Sequence, residues 1–139
     1  PGFARIPGAG RWCLFVKGAV ESVLGRCTHA LLADGTVTPM SHGLLAELLE
    51  EDHLLTSGMS ALRTLAFAVR TDFGEYGAAG RPSEATLGDV DAMAAVESHL
   101  VFVGLAGLTD PVRPQVAAAI RMCKSAGVRV VVITGDNKG

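Results

Sequence analysis

Three stretches of the sequence bring together residue types able to handle phosphate or a nucleotide. The first is Thr134-Gly135-Asp136-Asn137-Lys138, which follows an almost wholly β-branched run. A hydroxyl, a glycine N–H that a ligand can approach closely, and an acid followed by a lysine suit a phosphoryl group and its Mg²⁺. A polar turn after a core strand is the plainer alternative. The second stretch is Lys17-Gly18-Ala19. A lysine closing a short apolar run, followed by two residues with little side chain, leaves a concavity. A flat nucleobase could lie over Gly18 and Ala19 while the lysine stem packs beside it. A solvated lysine ahead of a helix would read the same way. The third is Arg63, a guanidinium inside LRTLAFAVR at residues 62–70. There it asks for a fixed anionic partner, either phosphate or carboxylate, and a local salt bridge would satisfy it equally.

Elements able to position these residues follow from periodicity and punctuation. Residues 12–17 (WCLFVK) read as a buried strand, broken by Gly18. Residues 19–26 then form a short helix with Val20, Val23 and Leu24 facing inward. Strands over 30–33 and 36–40 are joined by Asp34-Gly35, a strong hairpin dipeptide. Ser41 is the N-cap of a helix to about Leu55, whose leucines at helical spacing are core packing, and Gly58 ends that element. Residues 62–70 alternate as a strand. Residues 71–98, rich in Gly, Ala and acids, read as a surface excursion with a weak helix over 89–97. Residues 100–108 form a buried strand. Pro114 opens a helix bearing Val116, Ile120 and Cys123 on one side, and Gly127 stops it. Residues 128–133 complete a strand–helix–strand unit of the kind that builds parallel sheets, with ligands bound beyond the strand's carboxyl end at Thr134.

Composition narrows the possible functions. Of 139 residues, 49% are apolar and 19% charged, so the chain can bury a core. The net charge is −2 and the 12 Lys and Arg are scattered, which argues against a nucleic-acid face. Cys13, Cys27 and Cys123 form no CxxC pair, which suits buried thiols in a reducing compartment. His29, His42, His53 and His99 lie far apart and near no cysteine cluster, so no metal site is expected. No run of about 18 apolar residues is present to span a membrane. The chain lacks an initiator Met and neither end reads as a finished terminus, so it is expected to be a fragment.

The order of five strings resembles the P-type ion-pumping ATPases. They are Lys17-Gly18-Ala19-x-Glu21, Arg26-Cys27-Thr28-His29, Leu62-Arg63-x-Leu65-Ala66, Asp110-Pro111-x-Arg113 and Thr134-Gly135-Asp136-Asn137-Lys138. The Arg26–His29 string, with Pro39-Met40-Ser41 and Asn137-Lys138, resembles the endoplasmic-reticulum-type calcium pumps, and the likeness runs from Cys13 onward.

This resemblance implies an α/β chain. Residues 1–109 would be the later part of an α+β nucleotide-binding domain. Residues 110–139 would be a hinge and the start of a β-α-β return into a Rossmann-like, HAD-type phosphorylation domain. It implies that Lys17 and Gly18, with Ala19, line the adenine pocket, that Arg63 contacts the ATP phosphates, and that Leu65 forms pocket wall. Thr134, Gly135 and Asp136 would hold the γ-phosphate. ATP with Mg²⁺, and the remainder of the pump polypeptide, are the implied partners. Ca²⁺ would be carried by the parent, with this part at the cytosolic face of an endomembrane. Two positions depart from the family pattern, Val20 and Val112, where proline is usual. No Asp-Lys-Thr-Gly-Thr string is present, so the acceptor aspartate is absent and no catalytic residue is assigned. Another cation pump of the Na⁺ or H⁺ type, or a truncated non-catalytic nucleotide-binding module, is the rival reading.

Overall fold

The apolar runs become the middle of a single sheet. A computed structural model of the chain describes residues 2–5, 11–57, 62–75, 80–109 and 111–133. In chain order its elements are β1 (Gly2–Arg5), β2 (Trp12–Gly18), α1 (Val20–Leu24), β3 (Cys27–Leu31), β4 (Val37–Pro39), α2 (His42–Thr56), β5 (Arg63–Arg70), α3 (Glu84–Gly88), α4 (Val90–Val96), β6 (Leu100–Leu108) and α5 (Pro114–Ser125). The strand order is β1-β2-β5-β6-β3-β4. Among the described residues only β3 and β6 pair in parallel; the remaining neighbours are antiparallel.

Alternation along these strands gives the sheet two unlike faces. Leu14 and Val16 of β2, Ala66 and Ala68 of β5, and Leu100 and Phe102 of β6 are buried on one face. Val20, Val23 and Leu24 of α1 pack into the same cluster. The two alanines leave room for the helix to approach the centre of the sheet. Val20, at one of the positions where the resemblance calls for proline, is the first residue of α1 and buried. Its N–H would have no helical partner in any case, so valine substitutes there without straining the backbone. Val112, at the other, is exposed.

The turn and caps follow the sequence closely, although the first hairpin strand, expected over residues 30–33, runs over Cys27–Leu31 because it pairs with β6 as well as β4. Gly35 takes φ +86°, which the β3–β4 turn requires. The Thr36 hydroxyl and N–H both donate to Asp34 Oδ1, at 2.6 and 2.9 Å. These bonds, the hydroxyl's foremost, hold the Asp34 carboxyl below the usual aspartate range. Ser41 Oγ accepts from Leu44 N at 3.1 Å and starts α2. The expected stop at Gly58 lies outside the described residues. Of the leucine stripe, Leu44, Leu45 and Leu48 pack on the cluster and Leu55 is half-buried, while Leu49 is exposed. Helix α5 ends as expected. Gly127 adopts φ +74°, Val128 N donates to Cys123 O and Gly127 N to Lys124 O, which is the Schellman arrangement.

Two expectations need correction. Residues 71–98 are not simply a surface excursion, because Phe73, Pro82 and Val96 are buried and fasten the segment to the core. Arg70 supplies the clamp. Its Nε donates to Asp72 O and its Nη1 to Val96 O, both at 2.9 Å, and its Nη2 pairs with Glu75. The guanidinium carbon lies 5.0 Å from the centre of the Phe73 ring.

The strand expected at 128–133 does not form among the described residues, and neither does the parallel strand–helix–strand unit it was to complete. Strand β6 already has β5 on one edge and β3 on the other, so it offers no edge for a further strand. Val131, Val132 and Ile133 are therefore left 64, 84 and 93% exposed, and α5 has no buried residue.

Burial separates these two regions in their response to mutation. Leu14→Ala or Leu100→Ala should each cost about 2–5 kcal/mol of unfolding free energy in urea melts. Val132→Lys should change it by less than about 0.5 kcal/mol.

Candidate functional site

Pairing register brings three of the sequence-derived site residues, Lys17, Arg63 and Leu65, onto the sheet face opposite α1. Lys17 of β2 stands directly across from Phe67 of β5. Leu65 and Arg63 lie two and four residues before Phe67, and alternation points all three to one face. Arg63 is therefore about 13 Å along the strand from the Lys17–Phe67 pair, at roughly 3.3 Å per residue. A cavity of about 600 Å³ opens beside Lys17, with Phe15, Phe67, Val69 and Val103 among its walls. A second, of about 500 Å³, is lined by Arg63, Leu65 and Leu108. Strand β5 carries one wall of each.

Gly18 sits differently from the sequence expectation. A Cβ built on it would meet Val23 Cγ2 at 3.5 Å, so this glycine turns towards α1 while Lys17 turns to the open face. Ala19 is the N-cap of α1, and its carbonyl accepts from Val23 N at 3.0 Å. The Gly18–Ala19 segment thus ends the strand and opens the helix. Thr134, Gly135 and Asp136 lie outside the described residues.

The Arg26–His29 string is structural in its contacts. Arg26 pairs with Glu97 at the end of α4, and its carbonyl accepts from Leu100 N at 3.1 Å. Cys27 Sγ donates to Val23 O at 3.2 Å, and Thr28 Oγ1 lies 3.0 Å from His29 Nδ1. These contacts tie β3 to α1, α4 and β6. Burial pushes the Cys27 thiol up to about 11. A third hollow, of about 780 Å³, holds His29, His99, Asp72 and Glu75 among its lining. Among the described residues no three His, Cys, Asp or Glu are grouped to hold a metal ion.

Comparison with known proteins decides the family. The description "P-type ATPase, cytoplasmic domain N" matches residues 4–115. The chain belongs to the P-type ATPases. It is 44% identical over 134 residues to the endoplasmic reticulum-type calcium-transporting ATPase 4 of Arabidopsis thaliana, and 41% identical over 128 residues to calcium-transporting ATPase 2 of the same type and plant. These matches take in 94 and 90% of this chain and 12% of each relative. As a P-type ATPase the chain therefore contributes a cytoplasmic N-domain sheet, spanning about an eighth of the length of those pumps. Among the described residues no helix is long and apolar enough to cross a membrane.

Sequence reasoning missed two residues of this face. Along the sequence Phe67 is only one more apolar position in a strand, and Gly104 only part of an apolar run. Their placement on the open face beside Lys17 depends on the β2–β5 and β5–β6 registers, which no local pattern contains.

The raised Cys27 value has a direct consequence. On the order of a thousandth of the thiol is ionised at pH 8, so iodoacetamide should modify Cys27 far more slowly in the folded chain than in urea. Mass spectrometry after timed quenching would measure this.

Proposed function

We propose that the open face binds ATP in a calcium-transporting P-type ATPase. The base lies in the cavity beside Lys17, and the phosphates extend along β5 past Leu65 towards Arg63. The observation that carries this reading is the alignment of Lys17, Leu65 and Arg63 on one face of paired strands. The ligand chemistry agrees with it. The cavity at Lys17 is lined chiefly by Phe15, Phe67, Val69 and Val103, which suits a flat apolar ring. The guanidinium about 13 Å further along suits phosphate oxygens.

In this reading Mg²⁺ arrives with the triphosphate, and the acceptor aspartate belongs to another part of the pump polypeptide. Thr134, Gly135 and Asp136 would meet the γ-phosphate, and residues 110–139 would lead back to the phosphorylation domain. The chain's own task is positioning and charge stabilisation for phosphoryl transfer. Its likeness to the calcium-transporting ATPases of Arabidopsis thaliana supports Ca²⁺ as the ion moved by the whole pump, from the cytosolic side of an endomembrane.

Titration of ¹⁵N-labelled chain with ATP should shift the amides of Lys17, Leu65 and Phe67, with a Kd of about 1 mM or weaker, corresponding to about −4 kcal/mol. Lys17→Ala and Arg63→Ala should each weaken binding about fivefold. Shifts centred on the His29–His99 hollow and indifferent to both substitutions would rule out the assignment.

A further inference from the structure

His29 and His99 are far apart in the sequence, yet they line one hollow of about 780 Å³ together with Asp72 and Glu75. Each imidazole arrives there by a local departure from regular backbone. On β3, Cys27 pairs with Leu100 and His29 with Val101, so Thr28 is an extra residue in the strand. This bulge lets Cys27 and Ala30 both turn to the core while His29 stands beside Val101 on the open face. His99, just ahead of β6, takes φ +53° and is the only non-glycine residue with a positive φ among the described residues. Histidine is one of the few side chains that tolerate that conformation. Both rings are held by the hydroxyl of the preceding residue. Thr28 Oγ1 lies 3.0 Å from His29 Nδ1, and Ser98 Oγ lies 2.9 Å from His99 Nδ1. The Ser98 hydroxyl already donates to Ala95 O at 2.6 Å, so it accepts from His99 Nδ1–H. In the neutral ring that leaves the lone pair on Nε2, the arrangement of a metal-ligating histidine.

We propose that His29 and His99 form a two-imidazole site for a divalent transition cation of the Zn²⁺, Ni²⁺ or Cu²⁺ kind, with water in the remaining coordination positions. Regular spacing sets their Cα atoms roughly 8 Å apart, diagonally across the β3–β6 pair, within reach of one ion. The surroundings favour a cation over an anion. Asp72 and Glu75 are set against the single guanidinium of Arg70 in the hollow's described lining, which leaves a net negative charge around neutral imidazoles. Arg70 itself is committed to Asp72 O, Val96 O and Glu75, so it is not poised to receive an anion. Imidazole nitrogen selects Zn²⁺, Ni²⁺ and Cu²⁺ over Mg²⁺ and Ca²⁺, which prefer oxygen. No third side-chain ligand is grouped with the pair among the described residues, so the ion is held by two bonds and exchanges readily. Bound there, it would fasten β3 to the turn that starts β6. The site is separate from the nucleotide reading and does not depend on it.

The test is a titration of the full ¹⁵N-labelled 139-residue chain with Zn²⁺, without nucleotide, followed through the imidazole nitrogens. Zn²⁺ should shift the Nε2 signals of His29 and His99 together, while Mg²⁺ and Ca²⁺ at the same concentration leave both in place. His99→Asn keeps a residue suited to positive φ and removes the imidazole; it and His29→Gln should each weaken Zn²⁺ binding at least about tenfold. His53→Ala, on α2 and outside the hollow's described lining, should leave binding unchanged. Zn²⁺ should also raise the urea midpoint of the parent chain and of His53→Ala, but not that of either ligand variant. If His29→Gln unfolds the chain, His99→Asn, at an exposed turn, decides the matter. Zn²⁺ binding that survives His99→Asn, or equal shifts at all four histidines, would overturn the site. Inorganic phosphate that moves both imidazoles where Zn²⁺ does not would overturn it in favour of an anion.

Discussion

Strand β5 is hydrogen-bonded along both edges, to β2 and to β6, so its side chains have only two directions left to them. On one side Ala66 and Ala68 are small enough for α1 to settle on the sheet, and Arg70 closes the strand as a buried clamp. On the other side Arg63, Leu65 and Phe67 stand in a line. A shift of one residue in register would exchange these two sets, burying a guanidinium and a phenyl ring under α1 and exposing the alanines. The core and the candidate site are thus two consequences of one alignment. The strong burial of Leu14, Leu100 and the α1 valines is what holds the alignment in place.

Arg70 shows how a charged group can be enclosed in such a core. It is 8% exposed, yet its guanidinium reaches two backbone carbonyls and the Glu75 carboxylate, and it lies over Phe73. A buried cation with unmet donors would be costly, and here the three nitrogens all have partners. The same bonds draw in a segment that looks solvent-seeking by composition. Arg26 and Glu97 do comparable work at the same, C-terminal end of α4. Arg81, 4.9 Å from the Trp12 ring centre, fastens the start of the helical pair to the β2 side of the sheet.

The region after β6 behaves as an element awaiting a neighbour. Helix α5 has its proline start and Schellman end, both local devices, but buries none of its side chains. The apolar residues that follow stay exposed because both edges of β6 are taken. Composition rightly marks residues 128–133 as apolar and β-prone, but a strand forms only where another strand offers an edge. In the pumps to which the chain is related, about seven-eighths of the polypeptide lies outside the matched region.

Much of this protein was legible without coordinates, wherever the physics is local. The Asp34-Gly35 turn, the Ser41 cap, Pro114 at the head of α5 and Gly127 at its end depend on φ preferences and on hydrogen bonds a few residues long. Strand β6 has the bounds expected of it, and β2 and β5 differ by one residue, because their apolar runs are bounded by Gly, Arg and Pro punctuation. The five motifs in order were enough to indicate the family. Tertiary structure alone decided which strands are neighbours, and hence that Lys17 meets Phe67 and that Phe67 meets the open backbone of Gly104. It also turned Gly18 towards α1, enclosed Arg70, and left residues 128–133 without a ladder. Each of these outcomes depends on pairing or burial between residues tens of positions apart, and no periodicity within a single element encodes that partner.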